Sequence, residues 1–209
     1  MDDMADERDV TETLDALVRE RRSIRRFTAD AIPREVVERL LTAAAWAPSA
    51  HNRQPWRFVA IETPAARERL ARAMGDRLRR DLAADGVAEE AIERDAQRSY
   101  TQIAVAPLAV VLCLTMADMD VYPDERRQAA ERLMAAQSVA MAGQNLLLAA
   151  HAAGLGACWM CAPLFCPDVV RAVLALPADW EAQGLVVLGC PAETRSRGRN
   201  PLEKSVTWR

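Results

Sequence analysis

The chain has 209 residues, of which 51% are hydrophobic and 27% charged, and its formal net charge is −3 at pH 7. This length predicts one domain with a full hydrophobic core, and the mildly acidic balance argues against a protein that binds nucleic acid through a basic surface. Alanine and leucine dominate the hydrophobic fraction, which favours a mostly helical α+β protein with a single domain over residues 1–209.

The N-terminal segment is acidic, and we expect residues 1–9 to be disordered. Because no basic start followed by an apolar stretch opens the sequence, we expect no signal peptide, no membrane attachment and a cytoplasmic location. Apolar residues then recur with the spacing of an amphipathic helix that ends near Glu20, at Val10, Leu14, Leu17 and Val18.

A run of arginines follows this helix, with five between Arg19 and Arg26. Guanidinium groups can hold a phosphate through bidentate, charge-assisted hydrogen bonds, and a nearby hydroxyl such as that of Ser23 can join them. A solvated basic turn that complements the negative end of the helix dipole is the alternative. The run therefore predicts an anion site.

A second helix is predicted to begin at Pro33 and to lead into a loop between Pro48 and Pro55. Ser49, Asn52 and Gln54 lie in this turn-prone stretch. Their hydroxyl and amide groups can pair with ribityl hydroxyls or with the pyrimidine edge of a flavin. An ordinary proline-bounded loop that enters a strand is the alternative.

Apolar patterns predict strands at 56–61, 107–115 and 185–190. The charge-rich helical region 65–99, interrupted at Asp85-Gly86, is predicted to be a solvated excursion and a possible lid. After Tyr122-Pro123-Asp124, a long helix is predicted to run to Gly154. Polar residues interrupt its 129–153 stretch too often for a bilayer span, so we expect a buried core helix.

Cysteines and histidines give weaker signals. The five cysteines include a Cys158/Cys161 pair with CxxC spacing, for which we favour packing over dithiol or metal chemistry, and we expect no metal site. We interpret His151 as a core-helix residue. His51 lies in the proline-bounded loop and is a weak candidate for a proton donor.

The two N-terminal segments, in this order, resemble the signature of the FMN-dependent nitroreductase family. The resemblance continues through 144–150, 154–159 and 199–203. It implies an α+β fold with a central mixed sheet packed by helices, and an interdigitated homodimer that binds FMN at the subunit interface. NAD(P)H or reduced FMN would supply the electrons.

Residues can be matched to this family one position at a time. The resemblance assigns the FMN phosphate and ribityl chain to Arg21, Ser23 and Arg25, with Arg22 contributing mainly through its backbone and Arg199 closing on the phosphate. It assigns the other end of the flavin to Pro48, Ser49, Asn52 and Gln54. It places the backbone of Gly156 and Ala157 beside the flavin ring.

Four further stretches, 80–86, 91–94, 122–127 and 176–181, resemble the reductase domain of coenzyme F-420 biosynthesis proteins. That domain uses reduced FMN to convert the enolpyruvyl double bond of dehydro-coenzyme F-420-0 into a lactyl group. An anionic substrate that carries a planar deazaflavin would need cations and a stacking face, for which the candidates are Arg80, Arg94, Arg127 and Tyr122, with Arg79 beside them. The alternatives are a general NAD(P)H-dependent nitroreductase or quinone reductase, and a flavin-binding or flavin-fragmenting protein.

Overall fold

The computed structural model describes residues 3–209, with side chains from Asp9 onward. Its elements, in chain order, are α1 (Asp3–Glu20), α2 (Arg34–Ala45), β1 (Trp56–Ile61), α3 (Pro64–Ala84), α4 (Glu89–Ala104), β2 (Leu108–Leu114), α5 (Glu125–Ala152), β3 (Gly156–Met160), α6 (Pro167–Leu174) and β4 (Glu181–Gly189). Short 3-10 turns occur at Ala50–Asn52, Ala162–Phe165 and Leu202–Lys204. The α+β prediction is confirmed.

Helix α1 begins earlier than the sequence pattern indicated. Disorder was predicted for residues 1–9. Positions 1 and 2 lie outside the described residues, so the structure bears on this prediction only from position 3 onward. From Asp3 the backbone is helical. Acidic residues are favourable in the first turn of a helix because they complement its positive end, so an acidic run is compatible with a helical start.

Capping residues set the ends of the two longest helices. The Thr63 hydroxyl accepts a hydrogen bond from the Ala66 N–H, and the following proline occupies the first turn of α3. Asp124 caps α5 by accepting the Arg127 N–H. Gly154, at φ +74°, ends α5 in a Schellman motif, in which the next residue donates to the Ala150 carbonyl at 2.8 Å.

The four strands form one sheet in the order β1-β2-β4-β3, and every neighbouring pair is antiparallel. The expected mixed sheet is therefore corrected: within the described chain, the parallel component is an isolated bridge between Ser23 and Ala157. Strand β3 was missing from the sequence prediction because it is short and follows glycines. Strands β1 and β3 lie at opposite edges of the sheet.

Helices cover both faces of the sheet. Val110, Leu112 and Leu114 of β2 pack with α2 and α5, whereas Val111 and Cys113 pack with α3, α4 and α6. A strand that is buried on both faces is apolar at every position, as β2 is. The predicted solvated excursion is thus corrected: α3 and α4 form one layer of the core, with residues such as Leu70 and Ile103 fully buried.

Helix α5 is long and apolar enough to cross a membrane by length and composition, a test that core helices of soluble proteins also pass. Here its inner face packs on the sheet through Val139, Ala142 and Leu146, which have no exposed surface. The prediction of a buried core helix agrees with this packing.

Candidate functional site

A cleft lies where the arginine run meets the start of β3. The Ile24 N–H donates to the Ala157 carbonyl at 3.0 Å, which places the preceding arginines beside the edge of the sheet. The cavity there is about 280 Å³. Its lining includes Arg21, Arg22, His151, Gly156, Ala157, Glu193 and Arg195. His151, interpreted as a core residue, therefore also lines the cleft.

Guanidinium groups repel one another in and beside this cleft. Burial lowers the pKa of Arg21, and the nearby guanidinium groups of Arg199 and Arg22 lower it further. The Arg22 Nε atom is buried and has no hydrogen-bond partner among the described residues. The Arg22 Nη1 atom donates to the carbonyls of Arg19 and Arg21. Guanidinium groups that repel one another fit a dianionic phosphate, which would supply opposite charge and hydrogen-bond acceptors.

Glu193 organises the opposite wall of the cleft, and the sequence did not single it out. One carboxylate oxygen accepts the Arg25 N–H at 2.8 Å, and the other accepts from Arg195 at 2.8 Å. The hydrogen bond from Arg195 holds the pKa of Glu193 below its usual value. Glu193 therefore fixes the backbone at Arg25 while its own charge is neutralised. The Arg25 side chain is left exposed, donating to the Ser23 carbonyl at 3.4 Å.

The glycines beside the cleft serve the fold. Gly154 is the helix C-cap described above. A Cβ on Gly156 would lie 2.7 Å from Cγ2 of Ile24, so its missing side chain admits the arginine-bearing segment against β3. The structure thus gives Gly156 a packing reason that is independent of any flavin.

The loop from Pro48 to Gln54 is held in an unusual conformation. His51, Asn52 and Gln54 have φ values of 50°, 54° and 51°, in the left-handed region that non-glycine residues rarely adopt. The Ser49 hydroxyl accepts the Gln54 N–H at 3.0 Å, and the Gln54 amide donates to the Asn52 side chain at 3.2 Å. Such strain concentrates at functional sites, and here it turns exposed amide groups outward.

The same loop is tied to the segment that carries Tyr122. Arg53 pairs with Asp120 at 2.6 Å. The Arg127 guanidinium lies over the Tyr122 ring, 5.0 Å from its centroid, and also pairs with Asp124. Tyr122 also lines a cavity of about 350 Å³, whose other lining residues include Met116, Asp124, Glu125, Gln128 and Arg132.

Arg80 and Arg94 do not join this cluster. They belong to α3 and α4, on the sheet face opposite α5. Both are exposed, and Arg94 approaches Asp95 at 4.0 Å. Arg79 is engaged in a two-pronged pair with Glu93, at 2.7 and 3.1 Å. One protomer therefore does not assemble the predicted set of substrate residues at one place.

The two predicted cofactor segments also lie far apart in one protomer. Trp56 follows the Pro48–Gln54 loop and pairs with Leu114 of β2. Leu114 pairs in turn with Glu181, at one end of β4. Gly156, beside the arginines, pairs with Gly189 at the other end. The separation is about 25 Å along β4 and about 14 Å across the three strand spacings. A single flavin mononucleotide does not bridge this distance.

The two cysteines of the CxxC pair lie in different surroundings. Burial raises the pKa of the Cys158 thiol, and Arg25 opposes this shift only in part. The Trp159 indole N–H donates to Sγ of exposed Cys161 at 3.2 Å. Within the described part of the chain, no cluster of three or more His, Cys, Asp or Glu side chains could hold a metal ion.

Trp159 itself is wedged between α5 and β4. A Cβ on Gly143 would lie 2.3 Å from its ring, and a Cβ on Gly184 would lie 2.2 Å from it. The two glycines therefore form a slot that fixes the indole next to Cys161. No local sequence pattern predicts this slot, because its three parts come from separate elements.

Known proteins resemble this chain over most of its length. The profile of the nitroreductase family matches residues 18–190. A Thermus thermophilus protein named NADH dehydrogenase is 33% identical, over 90% of this chain and 92% of the relative. A 5,6-dimethylbenzimidazole synthase from Rhodospirillum rubrum is 36% identical, over 86% of this chain and 82% of that protein. A protein from Desulfovibrio desulfuricans, described as a nitroreductase and crystallised in complex with FMN, is 27% identical, with a TM-score of 0.70 over 92% of this chain and 94% of that one.

Proposed function

Because this chain belongs to the nitroreductase family of FMN-dependent oxidoreductases, we propose that it works as a homodimer with two shared FMN sites. Each FMN would lie between the arginine cleft of one protomer and the Pro48–Gln54 loop of its partner. The observation that carries this proposal is the wide separation of the two segments in a single protomer. A second copy provides the missing half of each site without any change in either segment.

Each half-site has a distinct task in this arrangement. Arg21, Arg25 and Arg199 would bind the phosphate through their guanidinium groups, and Arg22 would contribute mainly through its backbone. The partner's strained loop would present Asn52 and Gln54 to the polar edge of the ring. Bound FMN supplies hydride transfer, so the protein needs no nucleophile or metal of its own for that step.

We further propose that the electron donor is NAD(P)H or reduced FMN and that the acceptor is the enolpyruvyl group of dehydro-coenzyme F-420-0. Tyr122 supports this acceptor, since its aromatic ring lines a cavity of about 350 Å³ and carries the Arg127 guanidinium over its face. The ion pair between Arg53 and Asp120 ties this cavity to the flavin loop. Arg80 and Arg94 remain predicted substrate residues. They lie away from this cavity within one protomer, so a second protomer would have to supply them.

The similarity to the Rhodospirillum rubrum 5,6-dimethylbenzimidazole synthase favours a second candidate, a flavin-fragmenting enzyme. The arginine cleft would serve either reaction, because both need FMN held by its phosphate. The two candidates differ in what happens when the reduced flavin meets oxygen. A general NAD(P)H-dependent nitroreductase or quinone reductase is a third outcome, with the same site and a less selective acceptor pocket.

Subunit complementation tests the shared site. Arg25→Ala damages the arginine half and Asn52→Gly damages the loop half, and each homodimer should bind FMN weakly. A heterodimer of the two variants should regain one site of wild-type affinity, because both defects fall in the other site. Fluorescence titration of differently tagged, co-purified protomers measures this. If each protomer held its FMN alone, every site in the heterodimer would stay defective, and the proposal would be wrong.

The acceptor is tested with the reduced, FMN-loaded enzyme under anaerobic conditions. Arg127→Gln should lower kcat/KM for the enolpyruvyl substrate about 30-fold more than for a small neutral quinone, because only the former needs the cation. Arg126→Gln, at the exposed neighbouring position, is the matched control. If the wild-type enzyme does not reduce the enolpyruvyl compound, the proposed acceptor is wrong, and a quinone or a nitro compound becomes the candidate acceptor. Formation of dimethylbenzimidazole in air, detected by mass spectrometry, would favour flavin fragmentation.

A further inference from the structure

Glu131 is a buried carboxylate that the proposed chemistry does not use. It lies on α5 with 1% of its surface exposed. Its Oε2 atom has no hydrogen-bond partner in the part of the chain that the structure covers. Burial of an ionisable group with an unsatisfied atom costs stability, so its place in the core calls for a reason.

The other carboxylate oxygen begins a chain of contacts that ends in the flavin loop. Oε1 of Glu131 accepts the N–H of Asp120 at 3.2 Å. The Asp120 carboxylate in turn binds the Arg53 guanidinium at 2.6 Å. Arg53 stands between Asn52 and Gln54, two of the loop residues with positive φ.

The loop has a second anchor on the same helix. The Ala50 N–H donates to the Ser138 hydroxyl at 3.4 Å, and Ser138 is as deeply buried as Glu131. The two anchors are seven residues apart, which is about two turns of α5 and places them on one face. A strained loop keeps its shape only when its surroundings determine it, and these contacts provide that support.

We propose that Glu131 is a positioning residue that holds the Pro48–Gln54 loop in its left-handed conformation through Asp120 and Arg53. Its buried oxygen orients the Asp120 backbone, and the Asp120 side chain then fixes Arg53 from outside the loop. The consequence for flavin binding rests on the proposed function, whereas the effect on loop shape does not.

Two substitutions of similar size separate this role from general packing. Glu131→Gln keeps an oxygen acceptor for the Asp120 N–H, and Glu131→Met fills the same space without one. Hydrogen exchange of the peptide spanning 48–56 should be about tenfold faster in Glu131→Met and within about twofold of wild type in Glu131→Gln. Amides of β2 and β4 should keep their wild-type protection in both variants.

A second variant keeps the test informative if Glu131→Met fails to fold. Asp120→Ala removes the partly exposed link to Arg53 and should give the same local acceleration of exchange over 48–56. Wild-type exchange of this peptide in Asp120→Ala would overturn the proposal. Equal acceleration in the loop and in the β2 and β4 amides of Glu131→Met would also overturn it, because Glu131 would then support the whole fold.

FMN titration of the same proteins tests the functional consequence. Glu131→Met should weaken FMN binding about tenfold, and Glu131→Gln should restore it. Loosened loop exchange together with unchanged FMN affinity would overturn the link between the loop and the flavin while leaving the anchoring role of Glu131 intact. Wild-type protein that does not bind FMN would instead refute the proposed function, and the exchange result would still decide the role of Glu131.

Discussion

Arg199→Gln should weaken FMN binding and yet leave the FMN-free protein at least as stable as wild type. Arg199 is one of the charges that lower the pKa of Arg21. For a cation, a pKa that is lower in the folded than in the unfolded state means that its charged form costs folding free energy at neutral pH. Removal of the Arg199 charge reduces this cost.

The expected size of the binding loss follows from the lost phosphate contact. A hydrogen bond to a charged group contributes about 1.5 to 3 kcal/mol, so Kd should rise about 10- to 150-fold. The contacts that the substitution removes should contribute little to the free energy of unfolding of the FMN-free protein. Arg199 is exposed, and within the described residues its guanidinium donates to the nearby carbonyls of Arg197 and Gly198, at 3.4 and 3.2 Å.

Two measurements check this pair of effects. Fluorescence titration of FMN-free protein with FMN gives Kd, and urea unfolding of the same protein gives its stability. Arg197→Gln is the matched control, because Arg197 is an exposed arginine of the same segment that does not perturb Arg21. A variant with unchanged Kd and reduced stability would refute the assignment of Arg199 to the phosphate, and so would an equal loss of affinity in the control.

Three further predictions concern the packing and chemistry around β3. Gly184→Ala should destabilise the protein by about 1 to 3 kcal/mol through over-packing, because the added Cβ would lie 2.2 Å from the Trp159 ring. Urea unfolding followed by indole fluorescence measures this, and wild-type stability would contradict the slot. Simultaneous replacement of Cys158 and Cys161 by Ala should change the reduction rate by no more than about twofold, because the flavin carries the electrons; a folded, FMN-loaded double mutant without electron transfer would assign a role to the thiols. Glu193→Gln should reduce the pH dependence of the free energy of unfolding at acidic pH. The pKa of Glu193 is held below its usual 4.5, so its stabilising contribution is present above that value and is lost as pH falls through the lower folded pKa. Thermal unfolding across acidic pH checks this, and parallel profiles for wild type and variant would exclude Glu193 as a source of acid sensitivity.

Local patterns predicted several elements well. The strand predicted at 56–61 is β1, and the apolar run at 107–115 contains β2. Helix α5 ends where Gly154 predicts, because the Schellman motif depends on a few neighbouring residues. The pattern failed for β3, which gains its strand conformation from pairing with β4 and Ser23, both distant in sequence. The pattern predicted helix over 65–99 with a break at Asp85-Gly86, which α3 and α4 confirm. Only the prediction of a solvated excursion was wrong, because the many charges concealed one buried stripe in each helix.

By itself the sequence determined which groups each proposed half-site offers, because residue type and short-range spacing decide which groups can bind a phosphate or a ring edge. Arg21 and Arg22 beside Ser23, and Asn52 with Gln54 in a proline-bounded loop, are features of this kind. Only the tertiary structure decided that these groups lie at opposite edges of the sheet, that Glu193 joins the arginines, and that Glu131 supports the loop. Strand order and helix packing arise from contacts between distant parts of the chain, and no local pattern encodes the distance between two such parts.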